Sequence, residues 1–198
     1  MKDKKIRFIT LTAILGALSA VLQMFEFPVP FMVPSFVKMD FSDLPAILAT
    51  FLVSPVSGVV VCLLKNVIHI ATSNSGGIGE LANFLTSICC VLPAGIIYKL
   101  KPTKAMAAVS MVVGALISGI ASIFINYYIT YPFYMEVMKF PLDAILGMYK
   151  ELSGNVVDLW DALIWFNAPF TFCKFLLCSF IVFFIYKPLS KAIKKSDN

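Results

Sequence analysis

Apolar residues fall along this chain in blocks, at about 8–25, 43–53, 55–72, 80–98, 105–131 and 160–186, with few charges inside them. Several blocks approach the roughly 20 residues a helix needs to cross a ~30 Å hydrocarbon layer. None shows the ten-residue alternation of a membrane β-barrel. The pattern predicts an all-α integral membrane protein, one membrane-embedded domain over residues 1–198, with long loops at 26–42 and 132–158.

The number of passes turns on Ser54-Pro55-Val56-Ser57-Gly58, which reads either as a kink or as a turn between two helices. Basic residues cluster at the N-terminus (Lys2, Lys4, Lys5, Arg7), in one short loop (Lys99, Lys101, Lys104) and at the C-terminus (Lys187, Lys191, Lys194, Lys195). A turn gives six passes and places all three clusters on the cytoplasmic side, as the positive-inside rule demands. A kink gives five and strands two clusters outside. Six transmembrane helices with cytoplasmic N- and C-termini are therefore expected, and both long loops face outward. Most acids, Glu26 to Asp161, then fall near the outer face, leaving Asp3 and Asp197 inside.

Residues 43–53 would span only ~16 Å as a helix. The preceding loop, with Pro28, Pro30 and Pro34 and little polarity, is expected to fold back onto the bundle as a lid or wall. A short helix is expected around 141–152 in the second loop.

Composition agrees: mean hydropathy is +0.89 and only 14% of residues are charged, where a soluble domain carries about 25%. The basic N-terminus before an apolar run resembles a signal peptide, but no small-residue cleavage site follows and the run is long enough to serve as an anchor. Net charge is +5, but its clustered distribution argues for membrane orientation and against nucleic acid. The five cysteines lie in apolar segments and have no metal-ligand spacing to His69, the single histidine, so they read as packing residues.

The polar exceptions carry the functional reading. Lys65 and Lys174 sit deep in apolar segments, where a charge costs at least ~2.5–3.5 kcal/mol. Counting at about 1.5 Å per residue puts Lys65, Asn126 and Lys174 all in the outer half of the membrane, near Glu80 and Asn83. Asn167, Thr171 and Lys174 stand at i, i+4 and i+7 on one helix face; Lys65 and His69 at i, i+4; Glu80 and Asn83 at i, i+3. This convergence predicts an outward-facing pocket for an amphipathic small molecule, with Trp160, Trp165, Phe170, Tyr127 and Tyr128 as candidate walls. The alternative is that the polar groups satisfy one another, for example Lys65 with Glu80 or Asp43, and that the aromatics form an interfacial belt. A stripe of small residues on the first helix, Ala13, Ala17 and Ala20 beside Gly16, suits either internal packing or docking of another helix. Gly114, Ser118 and Ser122 form a second stripe, expected to face inward. No phosphate-binding loop, paired intramembrane acids or matched broken-helix halves occur, so a pocket of this kind needs a partner to energise it.

Four stretches resemble a known family: Lys38-Met39-Asp40-Phe41-Ser42-Asp43-Leu44-Pro45, Lys65-Asn66-x-x-His69, Gly76-Gly77-Ile78-Gly79-Glu80-Leu81-Ala82-Asn83 and Pro169-Phe170-Thr171-Phe172-Cys173-Lys174. Nearly the whole chain resembles the substrate-binding S component of an energy-coupling factor (ECF) transporter, and within that family the riboflavin-specific member. The resemblance implies uptake across a bacterial plasma membrane, riboflavin as cargo with no cofactor, and no enzymatic activity. It implies partners too: a transmembrane coupling protein docked on the Ala13/Ala17 stripe, and two ATPase subunits. The loaded S component would topple in the bilayer to deliver its cargo. Carried over by position, Asn126 and Lys174 become ligand contacts through the polar ring edge or ribityl hydroxyls, with the backbone of Lys38, Met39 and Asp40 closing over the ring. Glu80, Asn83, Asn167 and Thr171 join them as candidate contacts from the convergence of polar groups. The family pattern has Asn where this chain has Thr171, which keeps a hydroxyl but loses the amide's paired donor and acceptor. An S component for another vitamin, a small intramembrane enzyme using Lys174 or Glu80, and a structural subunit are the alternative readings.

Overall fold

The computed structural model describes the backbone of residues 2–195 and the side chains of 5–189. Lys2, Asp3, Lys4, Lys191, Lys194, Lys195 and Asp197, which enter the charge argument, lie outside the described side chains. The helices are α1 (Lys2–Gln23), α2 (Asp43–Leu52), α3 (Pro55–His69) and α4 (Ile78–Leu100), followed by α5 (Lys104–Ile125). A π-helical turn, Asn126–Thr130, carries α5 directly into α6 (Tyr131–Glu136). After α7 (Leu142–Leu152) comes α8 (Leu159–Ala162), joined through a second π-turn, Leu163–Asn167, to α9 (Ala168–Lys195). Among the described residues, five stretches are long and apolar enough to cross a membrane: Lys5–Gln23, Pro55–Thr72, Ile78–Leu100, Lys104–Glu136 and Leu159–Leu189. The fifth block thus runs past the expected end at 131, because the π-turn accommodates Pro132 at the start of α6 without breaking the rod. The short helix expected around 141–152 is α7.

Pro55 marks a turn. Ser54 is extended (φ −170°, ψ 161°) and its hydroxyl accepts from the Ser57 amide, capping α3, while Pro55 occupies the first helical turn, where no amide hydrogen is needed. The two helices then run antiparallel in close contact. A Cβ on Gly58 would lie 1.9 Å from the Thr50 hydroxyl oxygen, and at the far end Lys65 reaches Asp43.

Small residues bring the other helices together. On α5, a Cβ on Gly114 would sit 2.6 Å from the Cys90 carbonyl, and Ser118 Oγ donates to Thr86 O at 2.7 Å, so this stripe faces inward as expected. Thr12, Gly16, Ser19 and Gln23 mark the inward face of α1; Thr12 meets Ser57, and Ser19 donates to the Ser42 carbonyl. Ala13 and Ala17 are exposed, but Ala20 is only 4% exposed. Ala20 therefore drops out of the external stripe: it lies at the edge of the inward face and packs inside the bundle.

An apolar core of Ile47, Val61, Cys90, Met111, Phe175 and Val182 fills the bundle and ends in a cluster of Phe51, Tyr98 and Tyr186. Cys62 and Cys178 are buried in it, and the cysteines are free. At the opposite end lie both long loops. The first contains a short antiparallel pair, β1 (Phe27–Pro28) and β2 (Lys38–Met39), with Phe27 opposite Met39. It folds back as expected: Val33 and Met39 pack against Phe170 of α9, and Lys38 pairs with Glu26.

Candidate binding cavity

Beneath the loops lies a cavity of about 550 Å³, inside the range of roughly 300–1,000 Å³ typical of small-molecule sites. Its wall includes Lys38, Asp40, Glu80, Asn83, Asn126, Asn167, Thr171 and Lys174. Met39 is not part of the wall, because strand alternation turns its side chain into the Val33–Phe170 packing. The aromatic walls are Phe36, Tyr131, Tyr134, Phe140, Phe170 and Phe175. Of the walls expected from sequence only Phe170 is among them. Trp160 and Tyr127 stack on each other at 4.2 Å, and Trp165 and Tyr128 are exposed on the helix surface, where an aromatic belt would lie.

At the floor, two carboxylates and two ammonium groups form a closed ionic cluster. Lys174 Nζ lies 2.8 Å from Asp40 Oδ2 and 3.2 Å from Asp43 Oδ2, while Lys65 Nζ lies 2.6 Å from Asp43 Oδ1. Lys65 also donates to Ser42 Oγ (2.7 Å) and Asn83 Oδ1 (3.3 Å), and Ser87 Oγ donates to Asp43 Oδ1 (2.6 Å). Burial alone would raise the Asp40 carboxyl, but Lys174 and Lys65 hold it well below the usual carboxylate range. The cluster ties the first loop, through Asp40 and Ser42, to α2, α3, α4 and α9. Glu80 does not reach Lys65. Its Oε1 meets His69 Nδ1 at 2.9 Å, and its Oε2 accepts from Ser73 (2.8 Å) and Ser75 (3.0 Å).

Two of the wall asparagines, Asn126 and Asn167, sit on π-turns, which recur at functional sites because the extra residue re-aims side chains. Asn126 Nδ2 donates to Ser122 O at 2.7 Å, leaving its carbonyl oxygen for the cavity. Asn167 Oδ1 accepts from the Tyr149 hydroxyl at 2.5 Å, and Tyr149 in turn lies 2.5 Å from the Tyr131 hydroxyl. Gln23, Phe36, Thr86 and the tyrosines on the wall were not foreseen from sequence. Gln23 was findable, as a lone amide on the inward face of α1. The tyrosines were not, because their orientation depends on the π-turn before α6.

The family model described as "ECF transporter, substrate-specific component" matches residues 7–186. The chain belongs to this family. The S component is 30% identical over 96% of its length, and 93% of the relative's, to the riboflavin transporter RibU of Staphylococcus aureus. It is 30% identical to the riboflavin transporter FmnP of Bacillus subtilis, over 69% of the chain and 73% of that protein. A solved structure, described as "Structure and mechanism of the S component of a bacterial ECF transporter", superposes with a TM-score of 0.75 at 27% identity, covering 96% of this chain and 99% of that one. The protein is thus a membrane-spanning transporter subunit, and the enzyme reading falls.

Proposed function

We propose that this S component binds riboflavin in the cavity under its two long loops and delivers it for uptake. One observation carries the reading: a cavity with both aromatic walls and a polar floor, in a chain 30% identical over 96% of its length to a riboflavin transporter. A flavin has a flat apolar ring with a polar edge and a hydroxylated tail. Phe36, Tyr131, Tyr134 and Phe170 suit the ring, while Asn83, Asn126, Asn167, Thr171 and Lys174 suit the edge and tail, with Lys38 in the first loop at the rim and Asp40 holding Lys174 in the floor. Glu80, oriented by His69, completes the wall.

The chain forms one membrane-embedded unit with six passes and both termini in the cytoplasm, α2 being a short pass completed by the first loop. The turn at Pro55 and the basic clusters support this topology. Ala13 and Ala17 serve as the docking stripe for a coupling protein that brings two ATPase subunits, and the loaded protein topples to release its cargo inside. The decisive experiment titrates riboflavin against purified protein and follows its intrinsic fluorescence. Saturable quenching at submicromolar concentration is expected; unchanged fluorescence at micromolar ligand would favour an S component for another vitamin.

A further inference from the structure

Tyr149 does not line the cavity; it belongs to α7 in the second loop and is fully buried. Its ring is held by Phe36 from the first loop (6.4 Å between ring centroids) and by Phe166 (5.7 Å). Its hydroxyl nevertheless decides what the cavity offers. A phenol has one proton to give, and Tyr149 gives it to Asn167 Oδ1 at 2.5 Å. The Tyr131 hydroxyl, 2.5 Å away, then donates to the Tyr149 oxygen, so the relay runs in one direction. Burial pushes the Tyr149 phenol above its usual value, which keeps it protonated.

An unanchored asparagine presents either its carbonyl or its NH2 group, since the two are nearly the same shape. With the carbonyl of Asn167 committed to Tyr149, the group left for a ligand is the NH2. We infer that Tyr149 is a positioning residue, setting the amide of Asn167 so that the cavity presents a hydrogen-bond donor there to an uncharged acceptor on the ligand, such as a flavin carbonyl or ring nitrogen. This rests on the reading that Asn167 touches riboflavin.

The test compares riboflavin affinity, by fluorescence quenching, in the unmodified protein, Tyr149→Phe, Asn167→Ala, the double variant and Asn167→Asp. Tyr149→Phe is expected to bind about tenfold more weakly, the order of one hydrogen bond. The double variant is expected to bind no more weakly than Asn167→Ala, because the hydroxyl acts only through the amide. Asn167→Asp keeps an acceptor for Tyr149 but removes the donor, and should lose at least as much as Asn167→Ala. Undiminished affinity in Tyr149→Phe, additive losses in the double variant (a role in packing α7 alone), or unmodified-level affinity in Asn167→Asp each overturn the inference. The Asn167→Asp arm decides the matter even where Tyr149→Phe does not fold. If the unmodified protein fails to quench riboflavin, the proposed function falls; if it quenches and Asn167→Ala binds equally well, the assignment of Asn167 as a contact falls.

Discussion

Lys65 is fully buried yet absent from the cavity wall. Its work is internal: it balances the cluster, since without it Asp40 and the fully buried Asp43 would be two carboxylates sharing Lys174 alone, with one negative charge left uncompensated. Lys65→Met is therefore expected to lower stability by about 3–5 kcal/mol, the cost of breaking a buried pair from one side, read as a large drop in apparent Tm in detergent. Replacing both partners, Lys65→Met with Asp43→Leu, should recover most of that loss, because Lys174 keeps Asp40 as its counter-ion. A double variant as unstable as the single one would show that the ionic network itself, and not its neutrality, holds the helices. The sequence left Asp43 and Glu80 as equal candidates for this lysine. Helical spacing puts residues on a face but does not say which neighbouring helix that face meets; the α2–α3 hairpin decides for Asp43.

The helices themselves were largely legible. Block lengths and the turn signal at Pro55 placed most of the apolar elements, and the proline-rich loop was expected to fold back. The π-turns were not, since one extra residue in a continuous apolar run leaves hydrophobicity unchanged while rotating everything beyond it. Tyr131 and Tyr134, just beyond the first π-turn, line the cavity, whereas the candidate walls Tyr127, Tyr128, Trp160 and Trp165 do not. At this scale the α2–α3 contact gives a sharp test. Gly58→Val should destabilise the protein and reduce riboflavin binding, since the new side chain collides with Thr50 and the Ala46 carbonyl, 3.1 Å from the first added carbon. On α1, Ala13→Trp or Ala17→Trp should abolish uptake in cells while the purified protein still quenches riboflavin. Unimpaired uptake would remove the docking assignment. Ala20, which spacing alone grouped with them, is buried and belongs to the stability of the bundle.

For the molecule as a whole, the charge balance of the cavity matters more than any single ion. Lys38 is paired with Glu26, and Lys174 with Asp40 and Asp43, so each lysine of the wall already has its counter-ion. Such a site suits an uncharged guest. A phosphate monoester, carrying about −1.5 to −2 charges at neutral pH, would have to open one of these pairs. The 5′-phosphate of riboflavin is accordingly expected to compete at least tenfold less well than riboflavin itself; equal competition would mean that a lysine is released on binding. The aromatic contacts at the rim have a consequence of their own. Phe36, from the first loop, meets Tyr131, Tyr134 and Tyr149 edge-on at 6.2–6.4 Å, so both flaps over the chamber hang on one shared latch. Admission and escape then follow a single motion, and trimming that phenylalanine to alanine should speed arrival and departure together.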